Sequence, residues 1–179
     1  MFISFNYNYD INNWYWQVDE FPTEIFSSAS LSYIDPLDSA YQAWLTVNQM
    51  PYKTETGLTL SALIVQQYVP RYLNNGIQIV STNNALLNAT YGATDNDTNR
   101  ISSIATGIAA GRGLPGGGST FYYADNQGTL HEFNQTEFLN FASSIETFIY
   151  NLRGSIRIIC QHGIAQIPSQ PVNIDTIGG

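Results

Sequence analysis

Charge is what this chain has least of. Asp, Glu, Lys and Arg make up 11% of its 179 residues, against about a quarter in an ordinary soluble domain. Only six residues are Lys or Arg against fourteen Asp or Glu, so the formal net charge is -8. Such a chain repels a phosphate backbone and lacks the counterion release behind most nucleic-acid affinity, which speaks against nucleic acid as a partner. Cysteine is nearly absent. The single Cys160 excludes an intrachain disulfide framework and a Cys-rich zinc site. No run approaches the roughly 18 to 20 consecutive apolar residues of a membrane span, so no membrane span is expected. The first residues show no basic segment followed by an apolar one, so the expectation is a soluble chain without a signal peptide.

Apolar residues, in contrast, are plentiful, at 44% hydrophobic and 13% aromatic, with twelve tyrosines. A domain of this length buries roughly 70% of the surface its unfolded chain exposes, so no metal or disulfide staple is required. Asn, Gln, Ser and Thr take the place of charge on the surface. Interfaces are enriched in aromatics and depleted in Lys and Glu, so this composition suits a protein packed against neighbours.

The residues are unevenly distributed. Trp14, Trp16 and Trp44 all fall early, and no Lys or Arg precedes Lys53, while Asp10, Asp19, Glu20, Glu24, Asp35 and Asp38 all do. From Phe2 to Val18 aromatics alternate loosely with polar residues, as in an arm or hairpin. Asp35-Pro36 then opens a short helix carrying Ala40, Tyr41, Trp44 and Leu45 on one face until Pro51. A second helix, about Thr59 to Val69, is expected to end before Pro70. Asn48 to Gly57 between them reads as a linker. The expected division is residues 1–50 as an acidic aromatic arm with a short helix, 51–165 as an α+β domain, and 166–179 as an extended C-terminal tail.

Within the central domain, Ile77 to Ser81 is a β-branched run, and Asp95, Asp97 and Thr98 offer N-cap oxygens to the next helix. That helix carries Ile101, Ile104, Ala105, Ile108 and Ala109 on one stripe and breaks at Gly111 to Gly118. Two short strands flank Asp125-Asn-Gln-Gly128, a hairpin turn. Asn134 and Glu137 form a capping-box-like start to a helix with Phe138, Phe141, Ala142, Ile145, Phe148, Ile149 and Leu152 inward, running on to about Gln161. The fold class is α+β: a small hairpin or sheet packed by amphipathic helices, with an aromatic arm before it and a tail after it. Pro168 to Gly179 reads as a tail ordered only if something holds it.

Chemistry-bearing motifs are scarce. Gly111-Arg-Gly-Leu-Pro-Gly116 spells the dinucleotide fingerprint but follows a helix and precedes a hairpin, the reverse of what pyrophosphate binding needs, so no cofactor is expected. Asp95-Asn-Asp97 opens like a calcium loop, yet Arg100 stands where the turn glycine belongs and Thr106 where the bidentate Glu belongs. Cys160 and His162 are two apart, too few ligands for zinc, and Cys160 continues an apolar stripe as a core thiol would. His131 and Glu132 are strand neighbours that point to opposite faces, so they do not make an acid/base pair. With no Ser nucleophile elbow either, no catalytic residues and no metal are assigned, and the chain is read as non-enzymatic. Three Asn-x-Thr sequons, at Asn88, Asn96 and Asn134, mean little without a secretory route. Trp14, Tyr15, Trp16, Tyr122 and Tyr123 are the candidate interface residues, or alternatively a glycan-stacking set.

The order of these pieces carries a resemblance. Trp14-Tyr-Trp-Gln-Val, Phe26-Ser-Ser-Ala and Asp38-Ser-Ala-Tyr-Gln-Ala-Trp-Leu45 resemble the N-terminal region of many bacteriophage tail-fibre and tail-associated proteins. Leu60 to Leu152 is similar to an uncharacterised domain that often follows it. The shared pieces are Gly76 to Thr82, Leu87 to Tyr91, Arg100-Ile, Leu114-Pro, Tyr122 to Gly128 and the closing helix. The resemblance implies a virion structural role at a tail or appendage, with partners among other virion proteins and further copies of the same chain. It carries no catalytic residues. Val47-Asn-Gln-Met-Pro51-Tyr departs from the family's usual Ala-Gly-Asn-x-Pro-Thr, and a short tail stands where a fibre shaft would follow, which favours an adaptor, cap or attachment protein. The alternatives are a module that recognises a host-surface glycan and a chaperone of fibre assembly.

Overall fold

The aromatic segment after Asn13 forms the middle of a sheet. In the computed structural model, which describes residues 12–48 and 51–175, Tyr15–Val18 (β1) pairs antiparallel with Ile25–Ser27 (β2), and β2 with Ser32–Ile34 (β3). On its other side β1 pairs parallel with Tyr52–Thr54 (β4), giving the order β3-β2-β1-β4. The segment expected to be a linker therefore carries a strand, and it shares a sheet with the residues it was expected to separate. The part of the expected arm before Asn12 lies outside the described residues.

The chain divides into two compact units. One comprises the described residues up to Tyr68 with Gly154–Gln166, and the other Val69–Arg153 with the described residues from Ile167 onward. Four α-helices and nine short strands among the described residues make the fold α+β, as the sequence predicts.

In the first unit both faces of the sheet are covered. Tyr15 packs with Ile25, Tyr41 and Trp44. The latter two lie on Ser39–Asn48 (α1), whose buried residues are those two rings. Asp38 caps this helix, its Oδ1 accepting from Ala40 N at 2.9 Å and Tyr41 N at 3.1 Å. The helix thus opens three residues after Asp35, whose carboxylate forms a separate turn with Leu37 N. On the opposite face Trp16, Phe26 and Tyr33 line up across the strands.

Helix Gly57–Asn74 (α2) contains Pro70 and does not stop before it. Proline costs a helix one hydrogen bond, the one Gln66 C=O would have accepted. Gln66 and Pro70 are both exposed, so the face that loses this bond is open to solvent.

The second unit is built on Ile77–Val80 (β5), antiparallel to Ala89–Tyr91 (β6). Asp95–Gly107 (α3) follows, capped by Thr94 and not by the acids that come after it. Asp97 supplies the reciprocal half of a capping box with Thr94, which is worth about 1 kcal/mol. Ile101 and Ile108 of its stripe are buried, while Ala109, in the wider π-helical turn Ile108–Arg112, is exposed. Thr120–Ala124 (β7) and Leu130–Asn134 (β8) form the expected hairpin.

Gln135–Cys160 (α4) begins at the predicted box: Glu137 N donates to Asn134 Oδ1 and Asn134 N to Glu137 Oε2, both at 2.9 Å. All seven residues of its expected stripe, Phe138 to Leu152, are buried. Phe141 meets Tyr91 at 4.7 Å and Phe133 at 5.2 Å between ring centroids, so helix and strands share one aromatic core. The C-terminal segment is held by its own chain. Val172–Asn173 (β9) pairs parallel with β5, completing the order β6-β5-β9. No helix among the described residues is long and apolar enough to cross a membrane.

Candidate functional site

The five aromatic candidates fall in different units, and three of them are buried. Tyr15 and Trp16 are 3% and 2% exposed, and Tyr123 is 5% exposed. Trp14 lies 5.0 Å from Trp44 and 5.2 Å from Tyr52, ring centre to ring centre, within the first unit's aromatic packing. Tyr122 alone of the five is largely exposed, at 61%. The reason is strand geometry: successive side chains point to opposite faces, so Tyr122 and Tyr123 cannot both face outward. A glycan-stacking platform from Trp14, Tyr15, Trp16, Tyr122 and Tyr123 is thereby corrected, because its central rings are already spent on the core.

What remains at the surface is the outer face of the hairpin. Tyr122 pairs with Glu132 and Ala124 with Leu130, and directly opposed residues share a face. Leu130 is 62% exposed there. The neighbouring 3-10 turn Ala85–Leu87 leaves Leu86 at 82% exposed. Its carbonyl is fixed to the hairpin by His131 Nδ1 at 2.6 Å. Glu132 stays on the outer face and binds Thr120 Oγ1 at 2.6 Å, so it does not meet His131.

The partner of His131 is Asp125, which sequence reading missed. His131 Nε2 lies 3.1 Å from Asp125 Oδ2. The hairpin turn itself brings them together, since Asp125 begins it and His131 stands on the returning strand. Asp125 Oδ1 also accepts from Gln127 N and Thr129 N, each at 2.8 Å. Partial burial works to raise the Asp125 pKa, but the hydrogen bonds from His131, Thr129 and Gln127 outweigh it and hold the carboxyl below its usual range. An Asp at a turn with His six residues on was the available signal.

This pair forms one wall of a cleft of about 570 Å³ in the second unit. The wall is braced, because Asn126 N donates to Thr90 O at 2.9 Å and Asn126 Nδ2 to Asn75 O at 3.4 Å. Gly76 makes that approach possible. Its φ is +78°, and a Cβ there would lie 2.3 Å from Asn126 Nδ2. Asn75, Gln78, Asn88 and Thr90 supply further polar lining.

The other sequence candidates fall elsewhere. Thr94 and the Asp95 to Asn99 run belong to the start of α3, and Gly111 with Gly113 takes positive φ at its far end. No group of three or more His, Cys, Asp or Glu that could hold a metal occurs among the described residues. Cys160 is buried, and that burial pushes its thiol up to about 12. His162 instead contacts Glu24 and lies 4.9 Å from the rings of both Phe21 and Tyr33. Compared with family models, with curated proteins and with solved structures, the chain matches none.

Proposed function

We propose that the chain is a non-enzymatic structural component of a bacteriophage tail or other virion appendage, acting as a tail-fibre, adaptor or attachment protein. Made in the host cytoplasm, it is carried into the virion by contacts with other appendage proteins and with copies of itself. The observation that supports this reading is the outer face of the β7–β8 hairpin, where Tyr122 and Leu130 stand exposed. Large apolar side chains on a strand face cost a free-standing protein solubility and become anchors once a neighbour covers them. A chain that is only 11% charged does little to keep neighbours away. The resemblance of the Trp14 to Leu45 and Leu60 to Leu152 segments to tail-associated proteins supplies the setting.

Mass spectrometry of purified particles of the virus that encodes the chain tests this. A fixed copy number relative to the major capsid protein is expected. Absence from finished particles would overturn the structural role and leave an assembly chaperone.

A further inference from the structure

The cleft beside Asp125 lies on the outer side of the β5–β6 pair. Gln78 faces Thr90 across the two strands, while Ile77 and Ile79 turn inward and are 0% exposed. At about 570 Å³, the cleft falls within the roughly 300–1,000 Å³ of small-ligand sites. From its amide-rich lining, which holds no Lys or Arg, we infer that it binds an uncharged mono- or disaccharide.

Three features of the lining decide the class of ligand. First, the lining contains no Lys or Arg, and its one carboxylate, Asp125, repels anions, so phosphates and acidic sugars are disfavoured. Second, its polar groups are chiefly amides, and the side chains of Asn75, Gln78 and Gln127 make no hydrogen bond among the described residues. Each amide offers a donor and an acceptor, which matches a hydroxyl that is both. Asp125 Oδ1 accepts two backbone bonds and Oδ2 faces only His131 Nε2, which leaves a lone pair on Oδ2 for a hydroxyl. Third, the apolar part of the lining is small, Val80 and Ala89 chief among it, enough for the C–H face of a sugar ring but not for a lipid.

The site is also preformed. The Asp125 to Gly128 turn is fixed to β6 through Asn126 and to the 3-10 turn through His131, so binding orders the lining side chains but not the backbone that carries them. The inference does not depend on the virion role, and its residues are distinct from the apolar outer face of the hairpin.

Saturation-transfer NMR on the full chain tests it. The panel is glucose, galactose, mannose, N-acetylglucosamine, lactose and maltose, with glucuronic acid and N-acetylneuraminic acid as charged counterparts. At least one uncharged sugar is expected to give signal, and the acids much less. Gln78→Ala and Gln127→Ala should each weaken binding by about tenfold, as the loss of one to two side-chain hydrogen bonds does. Both residues are exposed, so the variants keep the wild-type melting temperature. No signal from any uncharged sugar, equal binding of the acids, or a signal that survives both substitutions would overturn the inference.

Discussion

The carboxylate of Asp175 and the hydroxyl of Ser81, 94 residues apart in the chain, meet at 2.7 Å. The same carboxylate accepts from Thr82 Oγ1 and from the amides of Thr82 and Asn83, so it ties the segment after β9 to the loop after β5. The hydroxyls of Ser81 and Thr82, aided by the two amides, hold its pKa down to about 2. Unfolded Asp titrates near 3.9. This clasp is therefore fully present above about pH 4 and is lost as pH falls through about 2. Asp175→Asn should lower the melting temperature at pH 7, with the gap from wild type closing toward pH 2. A gap independent of pH would show that the carboxylate charge is not what holds the segment.

Two helical glycines should respond to the same substitution with opposite sign. A Cβ on Gly154, inside α4, would meet nothing within 4 Å. Gly154→Ala should thus stabilise the protein by about 1 kcal/mol, the helix-propensity difference. A Cβ on Gly57 would lie 2.3 Å from Cys160 O and 2.9 Å from Gln161 Cα, both backbone atoms. Gly57→Ala should destabilise by about 1–3 kcal/mol despite alanine's better propensity. Thermal melts followed by circular dichroism measure both.

Thr54 is 7% exposed, and its hydroxyl has no hydrogen-bond partner among the described residues. Valine keeps the shape and removes a polar group that gains nothing from burial. Thr54→Val should raise stability by about 1 kcal/mol in a urea titration. A lower midpoint would mean that the hydroxyl is satisfied in solution.

Cys160 is 0% exposed and its thiol titrates near 12 in the folded chain because burial disfavours the thiolate. Ellman's reagent at pH 8 should leave the native protein unmodified and label one thiol per chain after denaturation. Unfolded cysteine ionises near 8.5. The contribution of this group to stability is therefore complete below that pH and declines as pH rises from there toward 12. Rapid labelling of the native protein would contradict the buried placement.

Local patterns carried a long way into the fold. The α4 stripe from Phe138 to Leu152, the Asn134–Glu137 cap and the hairpin around Asp125 each depend on residues a few positions apart, and the structure has all three. The same reasoning failed at Pro70, which stands on an exposed helix face where the lost hydrogen bond is open to solvent. It failed again at Tyr52–Thr54, a three-residue strand too short to show a period, which forms only because β1 lies beside it. The candidate site was less legible. Tyr122 could be read as an exposed aromatic, but which of Tyr122 and Tyr123 faced outward depended on where the core lay.

The sequence by itself determined the α+β class, the amphipathic helices, the Asn134–Glu137 cap and the charge-poor composition, because these follow from periodicity and composition within a few turns of chain. Tertiary structure alone decided that Trp16 and Tyr15 are core, that Asp175 reaches Ser81, and that Asn75, Gln78, Asn88 and Asp125 line one cleft. Burial and cleft formation depend on which distant segments meet. No local pattern records that Asn126 will dock beside Gly76, 50 positions earlier, since the contact requires the hairpin and the β5–β6 pair to be in place first.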